Sequence, residues 1–255
     1  MRPTLKNRLA AGETVYSGWI STSEPQNAVA LARAGFDAVT VDMQHGVAGT
    51  ETMAAMVGAI GAAGGIPIVR VPLFQGSLAG TALDSGAQGV IAPMINSAKD
   101  AEWLVEATKF PPLGERSWGP NRASILYDMP LGEMLASAND WIMTIPMIET
   151  VAAMEAMDEI MAVPGIDAVF VGPSDLSISL ANGASVDPAG AETMKACERI
   201  AKAAEKHGIV AAIFALSADM ARAYRDMGYR LIVPGSDLMI LRSGAQALLS
   251  TVKAP

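Results

Sequence analysis

Two acidic residues hold equivalent places in two successive strand-to-loop transitions of this chain. Glu149 closes the run Ile145-Pro146-Met147-Ile148-Glu149-Thr150, and Asp175 follows the apolar run Val169-Phe170-Val171 in Gly172-Pro173-Ser174-Asp175-Leu176. Neighbouring parallel strands that end in carboxylates make a hard-oxygen site suited to Mg2+ or Mn2+, with water and substrate oxygens completing the coordination. Taken singly, either carboxylate could instead cap the helix that follows it, because helix N-termini favour negative charge. Their company shifts the reading toward metal: Asp42 and His45 in Asp42-Met43-Gln44-His45, and Arg70 after Ile66-Pro67-Ile68-Val69, are also placed at strand ends.

Each of these has a chemistry and a plainer alternative. A carboxylate near an imidazole fixes its tautomer and raises its basicity, which a general base requires. Asp42 is the nearest carboxylate to His45, with Gly46 giving backbone freedom; Asp84 is a second, whose plainer reading is an exposed residue in the last turn of a helix. The other histidine, His207, lies at a helix end before Gly208, where the dipole favours a cation. Arg70 needs an anionic partner, because an unpaired buried guanidinium is very costly. That partner is a structural carboxylate, or a substrate carboxylate or enolate oxygen gripped by the guanidinium fork. The turn Gly172-Pro173-Ser174 offers free backbone N–H groups that can hold a carboxylate. Trp19, ending the first strand, packs or roofs the site. No lysine falls at an expected strand end, which argues against imine chemistry. Cys197 and the 16 methionines read as core, the methionines as adaptable filling.

The elements that must position these residues follow from the apolar pattern. Strands are expected at Thr14–Ile20, Ala38–Asp42, Pro67–Val71, Gly89–Pro93, Ile142–Ile148, Ala168–Val171, Val210–Phe214 and Leu231–Val233. Helices are expected near Pro25–Ala34, Thr50–Ala63, Leu78–Ser85, Ala98–Thr108, Val151–Met161, Ala189–His207, Ser217–Met227 and Asp237–Val252. Strict alternation implies a parallel sheet with right-handed crossovers, and eight such units in 255 residues favour a closed (β/α)8 barrel in one domain, residues 1–255. Glycines 35, 86, 208 and 228 sit where helices end and strands begin. Catalytic groups of such barrels lie at the C-terminal ends of strands, where Asp42, His45, Arg70, Glu149 and Asp175 would converge. The Pro-, Gly- and Arg-rich stretch from Phe110 to Arg122 reads as a long loop, a site wall or subunit contact.

Composition narrows the function further. Hydrophobic residues make up 51% and charged residues 17%, an apolar excess that subunit contacts or a two-faced sheet would absorb. A net charge of −8 argues against nucleic acid, whose phosphates need a basic face. No apolar run approaches the ~20 residues of a membrane span. The N-terminal segment Met1-Arg2-Pro3-Thr4-Leu5-Lys6-Asn7-Arg8 lacks a secretory apolar stretch, and a lone cysteine makes no disulfide framework, so a cytoplasmic setting is expected.

Five blocks carry a resemblance: Phe36-Asp37-Ala38-Val39-Thr40-Val41-Asp42-Met43-Gln44-His45-Gly46, Pro67-Ile68-Val69-Arg70-Val71-Pro72, Leu83-Asp84-Ser85-Gly86-Ala87-Gln88-Gly89-Val90-Ile91-Ala92-Pro93, Met147-Ile148-Glu149-Thr150 and Val169-Phe170-Val171-Gly172-Pro173-Ser174-Asp175-Leu176. Together, in this order, they resemble the HpcH/HpaI aldolases. The resemblance implies a class II pyruvate aldolase on a phosphoenolpyruvate/pyruvate-type (β/α)8 barrel, a hexamer built as a trimer of dimers, with the last helix swapped between paired subunits. It implies that Glu149 and Asp175 bind Mg2+, Mn2+ or Co2+, that His45 is the base with Asp84 raising its basicity, that Arg70 stabilises the enolate, and that the backbone at Ser174, beside Gly172 and Pro173, contacts the pyruvate carboxylate. The expected reaction is reversible retro-aldol cleavage of a 4-hydroxy-2-oxo acid to pyruvate, or a related 2-oxo acid, and an aldehyde, with no organic cofactor. Many members carry glutamine where this chain has Met147, which is at best a weak acceptor. The Arg116-Ser117-Trp118-Gly119-Pro120 stretch also departs from the family's RGxG-like pattern. Two other readings remain: a citramalyl- or malyl-CoA-type lyase, for whose diphosphate only Arg116 and Arg122 stand out, and a non-catalytic barrel that binds metal or keto acid.

Overall fold

A computed structural model describes residues 4–254; Met1–Pro3, part of the N-terminal segment discussed above, and Pro255 lie outside the described residues. Eight strands, β1 (Val15–Ile20), β2 (Ala38–Asp42), β3 (Ile66–Arg70), β4 (Gly89–Ala92), β5 (Met143–Ile148), β6 (Ala168–Val171), β7 (Val210–Phe214) and β8 (Leu231–Val233), pair in parallel, each with the next. β8 returns to β1, so the sheet closes into the (β/α)8 barrel. The helices are α1 (Leu5–Ala10), α2 (Pro25–Ala34), α3 (Thr50–Ala63), α4 (Gly76–Ser85), α5 (Ala98–Thr108), α6 (Asn121–Tyr127), α7 (Leu131–Trp141), α8 (Val151–Glu155), α9 (Met157–Met161), α10 (Pro173–Leu180), α11 (Ala191–Lys206), α12 (Ala218–Asp226) and α13 (Asp237–Val252).

The strands match expectation to within a residue at each end. The helices differ more. The expected Val151–Met161 helix is broken at Ala156, which joins α8 to α9 with φ −92° and ψ 5°. Helices α1, α6, α7 and α10 were not expected. The long loop is therefore shorter, and it runs from the end of α5 to the start of α6 at the N-terminal end of the barrel, away from this chain's own mouth.

Strand parity divides the core in two. Alternate residues face the barrel axis, and those facing in, among them Ile66, Ile68, Ile91, Met143, Ile145, Met147, Ala168, Phe170, Ala212 and Leu231, form one apolar cluster. Leu5 and Leu9 of α1 close its lower end. The opposite parity packs against the helices in a second, larger cluster. The in-facing register continues upward into polar residues: Ala38, Thr40, Asp42 on β2; Ile66, Ile68, Arg70 on β3; and Met143, Ile145, Met147, then Glu149 beyond β5. Strand length and parity thus deliver the charged residues to one mouth.

Lys109 is the one fully buried lysine among the described residues, and it belongs to the opposite end. Its Nζ donates to the carbonyl of Ile142 at 2.5 Å and pairs with Asp167 at 2.7 Å, and Lys6 of α1 takes the other Asp167 oxygen at 2.6 Å. Burial lowers the Lys109 pKa and Asp167 opposes that. The position, beneath the starts of β5 and β6, makes it a keystone and gives it no access to a substrate in the mouth. Lys109→Met should cost roughly 3 kcal/mol in urea denaturation, because a buried carboxylate loses one of two partners, while activity per folded molecule stays at the wild-type value.

Candidate active site

Asp42 and Arg70 are direct cross-strand partners in the β2–β3 register. Arg70 Nε and one Nη donate to the two Asp42 oxygens at 2.9 and 2.7 Å, a bidentate pair that buries both side chains. Burial alone would raise the Asp42 pKa, but the Arg70 hydrogen bonds and charge lower it, helped by the backbone N–H groups of Gln44 and His45. The guanidinium lies over the Trp19 ring, 4.7 Å from its centroid, and Trp19 Nε1 reaches Asp42 at 3.3 Å. Trp19 packs against Phe170 and Phe214 one layer down the barrel, so it floors the mouth and does not roof it. The fork expected for substrate is mostly spent on Asp42. One Nη has no partner among the described residues and is the donor left for a ligand.

The same pairing corrects the reading of Asp42 as the carboxylate beside the His45 ring. Only the backbone N–H of His45 touches Asp42, and the imidazole is exposed on the loop after β2 with no carboxylate on its ring among the described residues. The loop turns sharply enough that a Cβ on Gly46 would lie 2.0 Å from the Asp42 carbonyl oxygen, so glycine is required there. Asp84 does not supply the missing carboxylate within the chain. It sits in the last turn of α4, at the opposite end of the barrel, and its Oδ1 accepts from Arg116 at 2.6 Å. Arg116 in turn stacks on Phe110, 4.5 Å from the ring centroid.

Glu149 is 2% exposed. Thr150, not Glu149, caps α8 by accepting from the Ala153 N–H at 3.0 Å, which removes the plainer reading of that carboxylate. Glu149 Oε1 accepts from the Met94 backbone N–H at 2.8 Å. Its Oε2 is turned toward the end of β6, where a Cβ on Gly172 would approach it to 2.5 Å. Burial pushes the Glu149 pKa up to about 7; the Met94 hydrogen bond pulls it down, the charge of Asp175 raises it and Arg70 lowers it. Asp175 lies three residues beyond Gly172, at the same end of the barrel as Glu149. It occupies the first turn of α10 with no capping hydrogen bond from its side chain. Two carboxylates in mutual repulsion, one of them desolvated, form a donor set that a divalent cation would neutralise. No group of three His, Cys, Asp or Glu side chains suited to a metal exists among the described residues, so this pair would rely on water and substrate oxygens for the rest of its shell.

The Gly172-Pro173-Ser174 turn is the start of a helix. Gly172 is the cap residue of α10 and Pro173 its first position, so the N–H groups of Ser174 and Asp175 lack intrahelical partners and point from the positive end of the helix dipole. Proline followed by an acidic first turn was the available signal for α10. Met147 lies 1% exposed in the inner layer directly below Glu149. Asp237 escaped the sequence reading altogether. It accepts from the N–H groups of Ser21 and Thr22 and from the Thr22 hydroxyl, at 3.1, 3.2 and 2.6 Å, and so ties the start of α13 to the loop after β1 at the rim of the mouth.

The model of the HpcH/HpaI aldolase/citrate lyase family matches residues 16–244. This chain belongs to that family. It is 35% identical over 243 residues to a hydroxypyruvate/pyruvate aldolase of Rhizorhabdus wittichii, covering 95% of this chain and 96% of the relative. It is 30% identical over 248 residues to a 4-hydroxy-2-oxo-heptane-1,7-dioate aldolase of Klebsiella pneumoniae.

The alignment with the Klebsiella pneumoniae aldolase spans 97% of this chain and 93% of that relative. Among solved structures, an HpcH/HpaI aldolase/citrate lyase family protein from Burkholderia cenocepacia superposes with a TM-score of 0.89 at 33% identity, covering 98% of this chain and 99% of that one. The protein is accordingly a carbon–carbon lyase of the HpcH/HpaI family. Within that family frame, the CoA-lyase reading loses one of its two cations, because Arg116 is buried on Asp84 and Phe110.

Proposed function

We propose that the chain catalyses the reversible retro-aldol cleavage of 4-hydroxy-2-oxo acids to pyruvate or hydroxypyruvate and an aldehyde, in the cytoplasm, with a divalent cation held by Glu149 and Asp175. What supports this reading is geometric: Glu149 is buried on the in-facing parity shared with Arg70, and its Oε2 is turned toward Gly172, which opens the helix turn that carries Asp175. The cation, Mg2+, Mn2+ or Co2+, would supply Lewis-acid polarisation of the 2-oxo group and offset the charge that develops on its oxygen. The substrate carboxylate lies against the free N–H groups of Ser174 and Asp175, with Gly172 and Pro173 shaping the turn. His45, exposed on the loop after β2, takes the 4-hydroxyl proton directly or through water. The C3–C4 electron pair passes into the enolate, the C4 carbonyl forms, and the aldehyde leaves. The unpartnered Nη of Arg70, its position fixed by Asp42 and Trp19, donates to the enolate oxygen. Return of a proton to C3 gives the 2-oxo acid. Met147 offers the substrate no hydrogen bond, so selection rests on Arg70 and the backbone donors. Chelator-treated protein should stop releasing pyruvate and recover with Mn2+ or Mg2+; release that persists after chelation would overturn the reading.

We also infer a homo-oligomer, a hexamer of paired subunits, in which α13 reaches onto a second copy. Every residue from Leu238 to Ala254 is exposed, including Leu241 at 69%, Leu248 at 71% and Val252 at 79%. A helix with this much bare apolar surface is unstable alone in water. Light scattering should give a multiple of the chain mass, and deletion of residues 239–255, which spares Asp237, should reduce it. A monomeric full-length chain would end this inference.

A further inference from the structure

The Glu149 carboxylate is held by a closed hydrogen-bonded ring. Met94 donates its N–H to Glu149 Oε1 at 2.8 Å. To do so it adopts φ 55°, the left-handed region that side chains other than glycine rarely occupy. Asn96 Nδ2 donates to the Met94 carbonyl at 3.1 Å, and the Thr150 hydroxyl donates to Asn96 Oδ1. Thr150 is covalently next to Glu149, which closes the ring. The Asn96 backbone is itself anchored, its N–H donating to Asp100 at 3.0 Å, and Ile95 beside it is fully buried. One amide side chain therefore joins the loop after β4 to the residue that follows the carboxylate, and it secures the strained peptide that grips one carboxylate oxygen. The other oxygen is left toward β6 and Asp175.

We propose that Asn96 is a positioning residue that sets the orientation of the Glu149 carboxylate for its cation. The proposal rests on the metal reading of Glu149 and Asp175 given above. Asn96 touches no substrate in this arrangement; it acts through Met94 and Thr150. Outer partners of this kind change metal affinity by roughly 10- to 100-fold when removed, so Asn96→Ala should weaken Mn2+ binding by about that factor.

The test is titration of metal-free protein with Mn2+, read as loss of the free-ion paramagnetic signal, with wild type and Glu149→Ala as references. Folding is monitored by circular dichroism and thermal midpoint. Thr150→Val and Thr150→Ser form a second pair: both alter the capping residue, but serine keeps the hydroxyl that reaches Asn96. Weaker Mn2+ binding in folded Asn96→Ala, with Thr150→Val following it and Thr150→Ser near wild type, supports the proposal. Wild-type affinity in Asn96→Ala overturns it. If Asn96→Ala does not fold, the Thr150 pair decides, and equal affinity in the two variants overturns the proposal. If the wild type binds no Mn2+ that Glu149→Ala abolishes, the metal reading itself fails and leaves Asn96 nothing to orient.

Discussion

Glu149→Gln is expected to reduce pyruvate release by roughly 1,000-fold or more, because on the proposed reading its charge would anchor the cation and supply several kcal/mol of transition-state stabilisation. The substitution is nearly isosteric, and glutamine retains an oxygen for the Met94 N–H. It separates lost chemistry from lost fold. Burial and Asp175 raise the Glu149 pKa to about 7 from a model-peptide value near 4.5. In the metal-free protein the ionised carboxylate therefore costs stability, which is highest below the unfolded value and falls as pH rises through about 7. Neutral glutamine removes that loss, so metal-free Glu149→Gln should melt at or above the wild-type temperature at pH 8. Pyruvate release within tenfold of wild type would refute the assigned role, whatever the melting temperature.

Arg70→Ala should lower kcat by roughly 100- to 1,000-fold, the usual cost of deleting one donor that stabilises an oxyanion. It should also cost about 3–5 kcal/mol in denaturant unfolding, because Asp42 is left buried without its partner. The two effects can be separated by a cycle with Asp42→Asn. If the Asp42–Arg70 pair is chiefly structural, the double variant regains stability lost by Arg70→Ala but not its activity. The pH dependence supplies an independent sign. In the wild type, burial is outweighed by Arg70 together with the Gln44 and His45 N–H groups and the Asp42 pKa is depressed, so this stabilisation is present above the unfolded carboxylate value and is lost as pH falls through the lower folded value. Without Arg70, only the Gln44 and His45 N–H groups and Trp19 oppose burial, so the gain in stability as pH rises should shrink or change sign. A variant that keeps wild-type kcat would remove Arg70 from the reaction.

Much of this was legible in the chain itself. The eight apolar runs located the strands because both faces of a barrel strand are buried, which leaves an uninterrupted signal. Parity then fixed which residues share the axis, and Asp42, Arg70 and Glu149 could be placed at the mouth by counting. Helices were less legible where they are short or enter through proline. Helix α1 has six residues and α10 begins at Pro173, and their stability comes from contacts that a local pattern does not display.

The sequence by itself determined the barrel, the family and the set of residues gathered at the strand ends. Tertiary structure alone decided who pairs with whom. Asp42 went to Arg70 because cross-strand register sets them side by side, whereas nearness in sequence suggested His45. Asp84 went to Arg116 because α4 carries it to the other end of the barrel. Met94 reached Glu149 through a backbone N–H, a group that every residue but proline carries and that no sequence pattern can single out. Side-chain type declares what a residue can bond, but the partner is fixed by the distance the fold leaves between them.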